Sequence, residues 1–102
     1  MADCSSCEDA RKAQELGFDV AGTTMRGYTK ATAGISIPDY DMLHHMTHEL
    51  SIPIIAEGGV WEVDQLKRVF REPVLAAVVG TAITRPRDIT KRFVQAIGEC
   101  RG

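Results

Sequence analysis

The sequence predicts an α/β fold built on a parallel sheet, and three observations predict it. Short apolar runs alternate along the chain with amphipathic helical stretches. The runs "FDVAGTT", "IPIIAEGG" and "LAAVVGTAI" are nearly continuous and lack strict apolar–polar alternation, which is the pattern of strands covered on both faces. The order helix, strand, helix, strand, helix, strand, helix is that of repeated βα units, whose strands must lie parallel.

The first helical stretch, "SSCEDARKAQEL", opens on Ser5-x-x-Glu8, a capping-box spacing, and stops at Gly17. The first strand follows as Phe18 to Thr24. Pro38 to Leu50 opens with proline and acids, as helix N-termini prefer. Met42, Leu43, Met46 and Leu50 are its candidate core residues. "IPIIAEGG" is the second strand. "WEVDQLKRVF" sets Val63, Leu66, Val69 and Phe70 on one face, and Trp61 either opens this helix as a packing residue or borders a site. Leu75 to Ile83 is the third strand. "PRDITKRFVQAI" sets Ile89, Phe93, Ala96 and Ile97 on one face, with Thr84 as its cap. Before the first helix only Met1 to Cys4 is available, and it reads as the last residues of a strand. Three strands and a stub make a thin sheet with exposed edges. The expectation is one domain over residues 1–102 that forms part of a larger fold, with the missing units upstream.

Composition narrows the function classes. The 102 residues are 44% hydrophobic and 25% charged, with a net charge of −2, as in an ordinary globular domain. An acidic balance argues against a nucleic-acid or anionic membrane partner. No apolar run approaches the ~20 residues of a spanning helix, and "MADCSSCEDA" does not read as a secretory signal. Three cysteines is an odd number, better suited to a reducing, cytoplasmic setting than to a disulfide framework.

Chemistry in parallel α/β folds gathers at the carboxyl ends of the strands. Here those ends read "ADCS", "GTTMRGYT", "AEGG" and "GTAITRP". In the third of them, a strand carries a carboxylate, Glu57, to its end and then gives up all side chain at Gly58 and Gly59. Glycines let backbone N–H groups approach an anion, and a following helix N-terminus adds partial positive charge. Arg85 stands just before the last helix, placed to pair with an anion.

The segments "MADCSSCEDARKAQELGFDVAGTTMRGYT", "IPIIAEGGV" and "AAVVGTAITRPRDITKRFV" resemble the second half of the N-acetylmannosamine-6-phosphate 2-epimerases. The set "ADCS", "GTT-x-x-GYT", "AEG" and "VG-x-AITRP" in this order carries the resemblance, and Ala31 to Met46 is its weakest part. It implies a (β/α)8 TIM-barrel fold, of which this chain supplies roughly the last four βα units, a half-barrel without its N-terminal half. It implies an isomerase that interconverts N-acetylmannosamine 6-phosphate and N-acetylglucosamine 6-phosphate by proton transfer at C2, in sialic acid catabolism and without a cofactor. On the matching motifs, Glu57 and Arg85 are the catalytic candidates. Gly58, Gly59, Gly80, Thr81, Tyr28, Thr24 and Asp3 are the substrate and phosphate candidates. Gly59 is also a departure, since many relatives carry Arg or Lys there. The family's catalytic lysine and an acidic partner belong to the third and fourth strands, so the chain by itself is expected to be inactive; of its four lysines only Lys30 lies in a loop near the site. The alternative is a non-catalytic half-barrel that binds sugar phosphates or pairs with itself.

Two other patterns have plainer readings. Cys4-Ser-Ser-Cys7 sits where a redox dithiol would be activated, but nothing else in the chain supports one. His44 and His48 lie one helical turn apart without an "HExxH" motif or a carboxylate at a fitting spacing, and read as a solvated helix face. No metal site is expected. The partners expected are a small amino-sugar phosphate and a second copy or the complementary half-barrel.

Overall fold

Four parallel strands lie side by side in chain order, and each is followed by a helix. The computed structural model describes residues 1–101. The strands are β1 (Ala2–Asp3), β2 (Ala21–Gly22), β3 (Ile54–Glu57) and β4 (Ala76–Val78). The helices are α1 (Cys7–Glu15), α2 (Tyr40–Glu49), α3 (Val63–Val69), the single turn α4 (Thr81–Thr84) and α5 (Pro86–Arg101). The register pairs Asp3 with Gly22, Gly22 with Ile55, and Glu57 with Val78, so the carboxyl ends of the strands open on one edge.

The core lies between the sheet and α1–α3. Ala10, Ala13, Ala21, Leu43, Met46, Ile54, Ala56 and Val69 are buried there, and the four residues assigned to α2's core, Met42, Leu43, Met46 and Leu50, are all buried. Helix covers one face of the sheet only. Ile54 and Ala56 are buried, whereas their neighbours Ile55 and Glu57 are half-exposed on the opposite face. The expectation of strands covered on both faces therefore holds for one face within this chain.

The helix starts follow the sequence, with small shifts. Ser6 rather than Ser5 caps α1 and accepts from the Asp9 N–H, while Ser5 donates its hydroxyl to the Asp9 carboxylate at 2.7 Å. Asp39 caps α2 by accepting from Met42 N–H at 3.0 Å. Glu62 and Gln65 form a reciprocal capping box on α3.

Three expectations are corrected. The run Leu75–Ile83 is not one strand: β4 ends at Val78, and from Gly80 the chain turns into α4, with Ile83 and Thr84 N–H bonded to the Gly80 carbonyl at 2.9 and 3.0 Å. Thr84 does not cap the last helix, because it is the last residue of α4, where its hydroxyl donates to the Gly80 carbonyl; α5 instead opens on Pro86, whose missing N–H costs nothing at that position. The faces assigned to the last two helices are only partly buried. Val69 is buried in α3, but Val63 and Phe70 are 70% and 52% exposed, and Phe93 and Ile97 of α5 are 69% and 54% exposed. Helix α5 packs mainly against α4, and the molecule is correspondingly long, with a radius of gyration of 15.1 Å against about 13 Å for a compact chain of this length.

Candidate active site

At the carboxyl edge of the sheet lies an open cleft of about 610 Å³. Thr24, Tyr28, Glu57, Gly58, Gly59, Trp61, Gly80 and Thr81 line it, and Glu57 is the one charged side chain in the lining. Sequence reasoning named most of these residues one motif at a time. The parallel register brings them together, since it stacks the ends of β1 to β4 beside one another.

Two adjacent threonines after β2 organise the site. Thr23 is buried, with 5% exposure, and its hydroxyl serves the Glu57 backbone twice: it donates to the Glu57 carbonyl at 3.0 Å and accepts from the Glu57 N–H at 2.9 Å. Because strand side chains alternate, the next residue, Thr24, faces the cleft. Its Oγ1 lies 2.9 Å from Glu57 Oε2 and 2.9 Å from Asp3 Oδ1. A hydroxyl has one proton to give. Thr24 therefore donates to one of the two carboxylates at a time. Thr24, just after β2, thus bridges two carboxyl groups carried by the strands on either side of it, Asp3 of β1 and Glu57 of β3.

The surrounding loops are pinned by polar contacts. Gly58 and Gly59 have φ of +105° and +77°, values that favour glycine. At Gly59 a Cβ would stand 2.6 Å from the backbone carbonyl of Ile37, so the 37–39 loop closes over this position because no side chain is there. That contact gives the departure at Gly59 a structural reason. Gln65 accepts from the N–H groups of both Trp61 and Glu62, at 2.7 and 2.8 Å, and fixes the turn from the glycines into α3. Of the two readings left open for Trp61, the structure favours the second: it borders the cleft and lies outside α3, which Glu62 caps. The loop carrying Tyr28 is held by buried Thr32, whose hydroxyl accepts from the Gly27 N–H at 2.9 Å.

Arg85 does not reach the cleft. It ends α4, its side chain is 71% exposed, and its guanidinium lies 3.8 Å from Asp88. Lys30 is exposed and does not line the cleft either. Gly80 and Thr81 open α4, where the first backbone N–H groups have no partner within the helix. With Gly58 and Gly59 they are among the backbone donors of the lining.

Sequence reasoning missed Thr23, Arg26 with Asp39, and a side-chain cluster on α2. Arg26 forms a half-buried ion pair with Asp39 at 2.9 Å and also donates to the Ser5 carbonyl at 3.0 Å, tying the loops after β1 and β2 to the start of α2. Only the doubled Thr of "GTT" signalled the first of these. The pairing of Arg26 with Asp39, and the meeting of His44 and His48 with Glu72 across 24 residues or more, had no local signal. Cys4 and Cys7 are both free, and burial is the first cause raising both thiols; Asp9 and Asp3 add to it at Cys4, Glu49 at Cys7. These are the opposite of activated thiolates.

A family profile described as "Putative N-acetylmannosamine-6-phosphate epimerase" matches residues 1–99. The chain belongs to this family. Among the curated relatives it matches, the epimerase of this name from Malacoplasma penetrans is 48% identical over 99 residues, which cover 95% of this chain and 43% of the relative. That from Caldanaerobacter subterraneus is 43% identical over 99% of this chain and 43% of the relative. The solved structure of the Clostridium perfringens N-acetylmannosamine-6-phosphate 2-epimerase matches with a TM-score of 0.89 at 40% identity, over 94% of this chain and 42% of that one. The chain thus spans a little over two fifths of the length of these epimerases. Its fold is the α/β, parallel-sheet arrangement of their TIM-barrel family.

Proposed function

We propose that these 102 residues form the last four βα units of an epimerase barrel, and that the barrel interconverts N-acetylmannosamine 6-phosphate and N-acetylglucosamine 6-phosphate at C2 in the cytoplasm. The observation that carries this reading is the Asp3–Thr24–Glu57 chain at the sheet's carboxyl edge, in a chain of this family. Epimerisation next to a masked aldehyde removes a proton from carbon and returns one to the opposite face, which calls for acid and base groups held in place. Glu57 is the group of the chain that reaches into the cleft. The hydroxyl of Thr24 orients its carboxylate and ties it to Asp3. The 6-phosphate lies against the backbone N–H groups of Gly58, Gly59, Gly80 and Thr81, and Tyr28 covers the sugar. Arg85 serves the phosphate only if its side chain leaves Asp88 and swings inward. The lysine base that the resemblance assigns to the third and fourth strands comes from the other part of the barrel, so the chain alone leaves C2 unchanged.

The test joins this chain to the remaining portion of the Malacoplasma penetrans relative and follows deuterium uptake at C2 of N-acetylmannosamine 6-phosphate. Exchange is expected in the chimera and absent from the chain alone. Glu57→Gln keeps the shape and lowers exchange on the order of 100-fold or more. A Glu57→Gln chimera with near-normal exchange removes Glu57 from the chemistry.

A second reading, self-association, is favoured by the apolar face of α5, where Phe93, Val94 and Ile97 are each more than half exposed, and by the open edges β1 and β4. The mass of the chain in solution decides it: a dimer is expected, and a stable monomer ends this reading.

A further inference from the structure

A second group of reactive side chains lies at the other edge of the sheet. Helix α2 leaves the cleft at Asp39 and runs back toward the amino ends of the strands, where His44 and His48 sit one turn apart. Glu72 is in the turn that leads from α3 toward β4. One ligand atom from each of the three lies within 4.8 Å of the other two. Glu72 Oε2 is 3.0 Å from His44 Nδ1 and 3.8 Å from His48 Nδ1. Tetrahedral zinc with bonds of about 2.0–2.1 Å sets neighbouring ligand atoms roughly 3.3 Å apart, and the 3.0 Å between His44 Nδ1 and Glu72 Oε2 is close to that spacing.

The supporting contacts suit a metal as well. His48 Nδ1 lies 2.7 Å from the His44 carbonyl, the second bond by which metal-bound imidazoles are commonly oriented; it leaves Nε2 with the lone pair. Glu72 is the least exposed of the three, with a side chain 20% accessible. Its backbone is fixed at both ends, N–H to the Val69 carbonyl at 3.1 Å and carbonyl to the Val74 N–H at 2.8 Å. The two histidines are a little over half exposed, so a fourth position is open to water.

We propose that His44, His48 and Glu72 form a binding site for a divalent transition-metal ion of the zinc class, which clips α2 to the α3–β4 turn. Two imidazoles and one carboxylate suit zinc, cobalt, nickel or copper; magnesium and calcium prefer oxygen ligands throughout. The site stands apart from the cleft and takes no part in the proton transfer proposed there, so the two readings fail independently.

The test titrates the whole chain with Co²⁺, read by its visible absorption, and with Zn²⁺ by calorimetry. Saturation at one ion per chain is expected, with Zn²⁺ displacing Co²⁺ and millimolar Mg²⁺ displacing neither. His44→Gln, His48→Gln and Glu72→Gln should each weaken Zn²⁺ binding tenfold or more, while His45→Gln on the same helix leaves it within twofold. An ion that binds the native chain raises its melting temperature; Zn²⁺ should do so for the wild type and not for Glu72→Gln. All four positions carry side chains on the surface or at its margin, and far-UV circular dichroism checks that each variant is folded. Binding without saturation overturns the proposal. So does a folded Glu72→Gln variant that keeps wild-type affinity, or a loss at His45→Gln as large as at His44→Gln.

Discussion

Replacing Thr23 by valine tests how the site is held. The change keeps the branched shape and removes only the hydroxyl. In the folded chain that hydroxyl accepts from the Glu57 N–H at 2.9 Å and donates to the Glu57 carbonyl at 3.0 Å, in a place where Thr23 is 5% exposed. Water does not readily replace it there. A buried donor stripped of its partner costs about 1–3 kcal/mol, and the lost bond to the carbonyl about 1 kcal/mol more. Burying a methyl in place of a hydroxyl returns roughly 0.8 kcal/mol. The net loss is therefore about 1–3 kcal/mol. For a small domain with a urea slope of about 1–3 kcal/mol per molar, this moves the midpoint down by roughly 1 M. The assay is urea unfolding followed by far-UV circular dichroism, with Thr23→Ser as the partner variant, since serine restores both bonds and gives up one methyl. An unchanged midpoint and slope for Thr23→Val, or Thr23→Ser falling as far as valine, refutes the role of the hydroxyl.

Two further outcomes follow from the same geometry. Gly59→Ala places a Cβ at 2.6 Å from the Ile37 carbonyl with φ at +77°, so the 37–39 loop must move or the chain must bear strain. A left-handed non-glycine residue alone costs about 1–2 kcal/mol, and a thermal melt should drop by at least about 4 °C; an unchanged melt shows that the loop yields freely. The Ser5 hydroxyl is the first cause holding the Asp9 carboxyl below its usual range. A depressed carboxyl stabilises the fold above its unfolded pKa, about 3.9, and loses that contribution as pH falls through the lower folded value. The stability gap between wild type and Asp9→Asn should therefore be widest above pH 5 and close below about pH 4, and a gap independent of pH contradicts this.

Local pattern by itself determined the βα alternation, the parallel sheet and the positions of α1, α2, α3 and α5, but not the short turn α4. Apolar spacing, caps and glycine stops act within a few residues, and the sheet order adds little to them. The candidate residues Glu57, Thr24, Gly58 and Gly80 were legible because a parallel sheet sends every strand's carboxyl end to one edge. The tertiary structure decided what lies far apart in the chain. Arg85 pairs with Asp88 because a helical turn, not a strand, follows Gly80, and that turn carries the guanidinium away from the cleft. Thr23 clamps Glu57 because two strands 34 residues apart are neighbours. Glu72 meets His44 and His48 only because the turn after α3 returns beside the end of α2. Spacing along a helix shows which side chains share its face. Which carboxylate from elsewhere comes to meet them is set by packing, and packing leaves no local trace in the sequence.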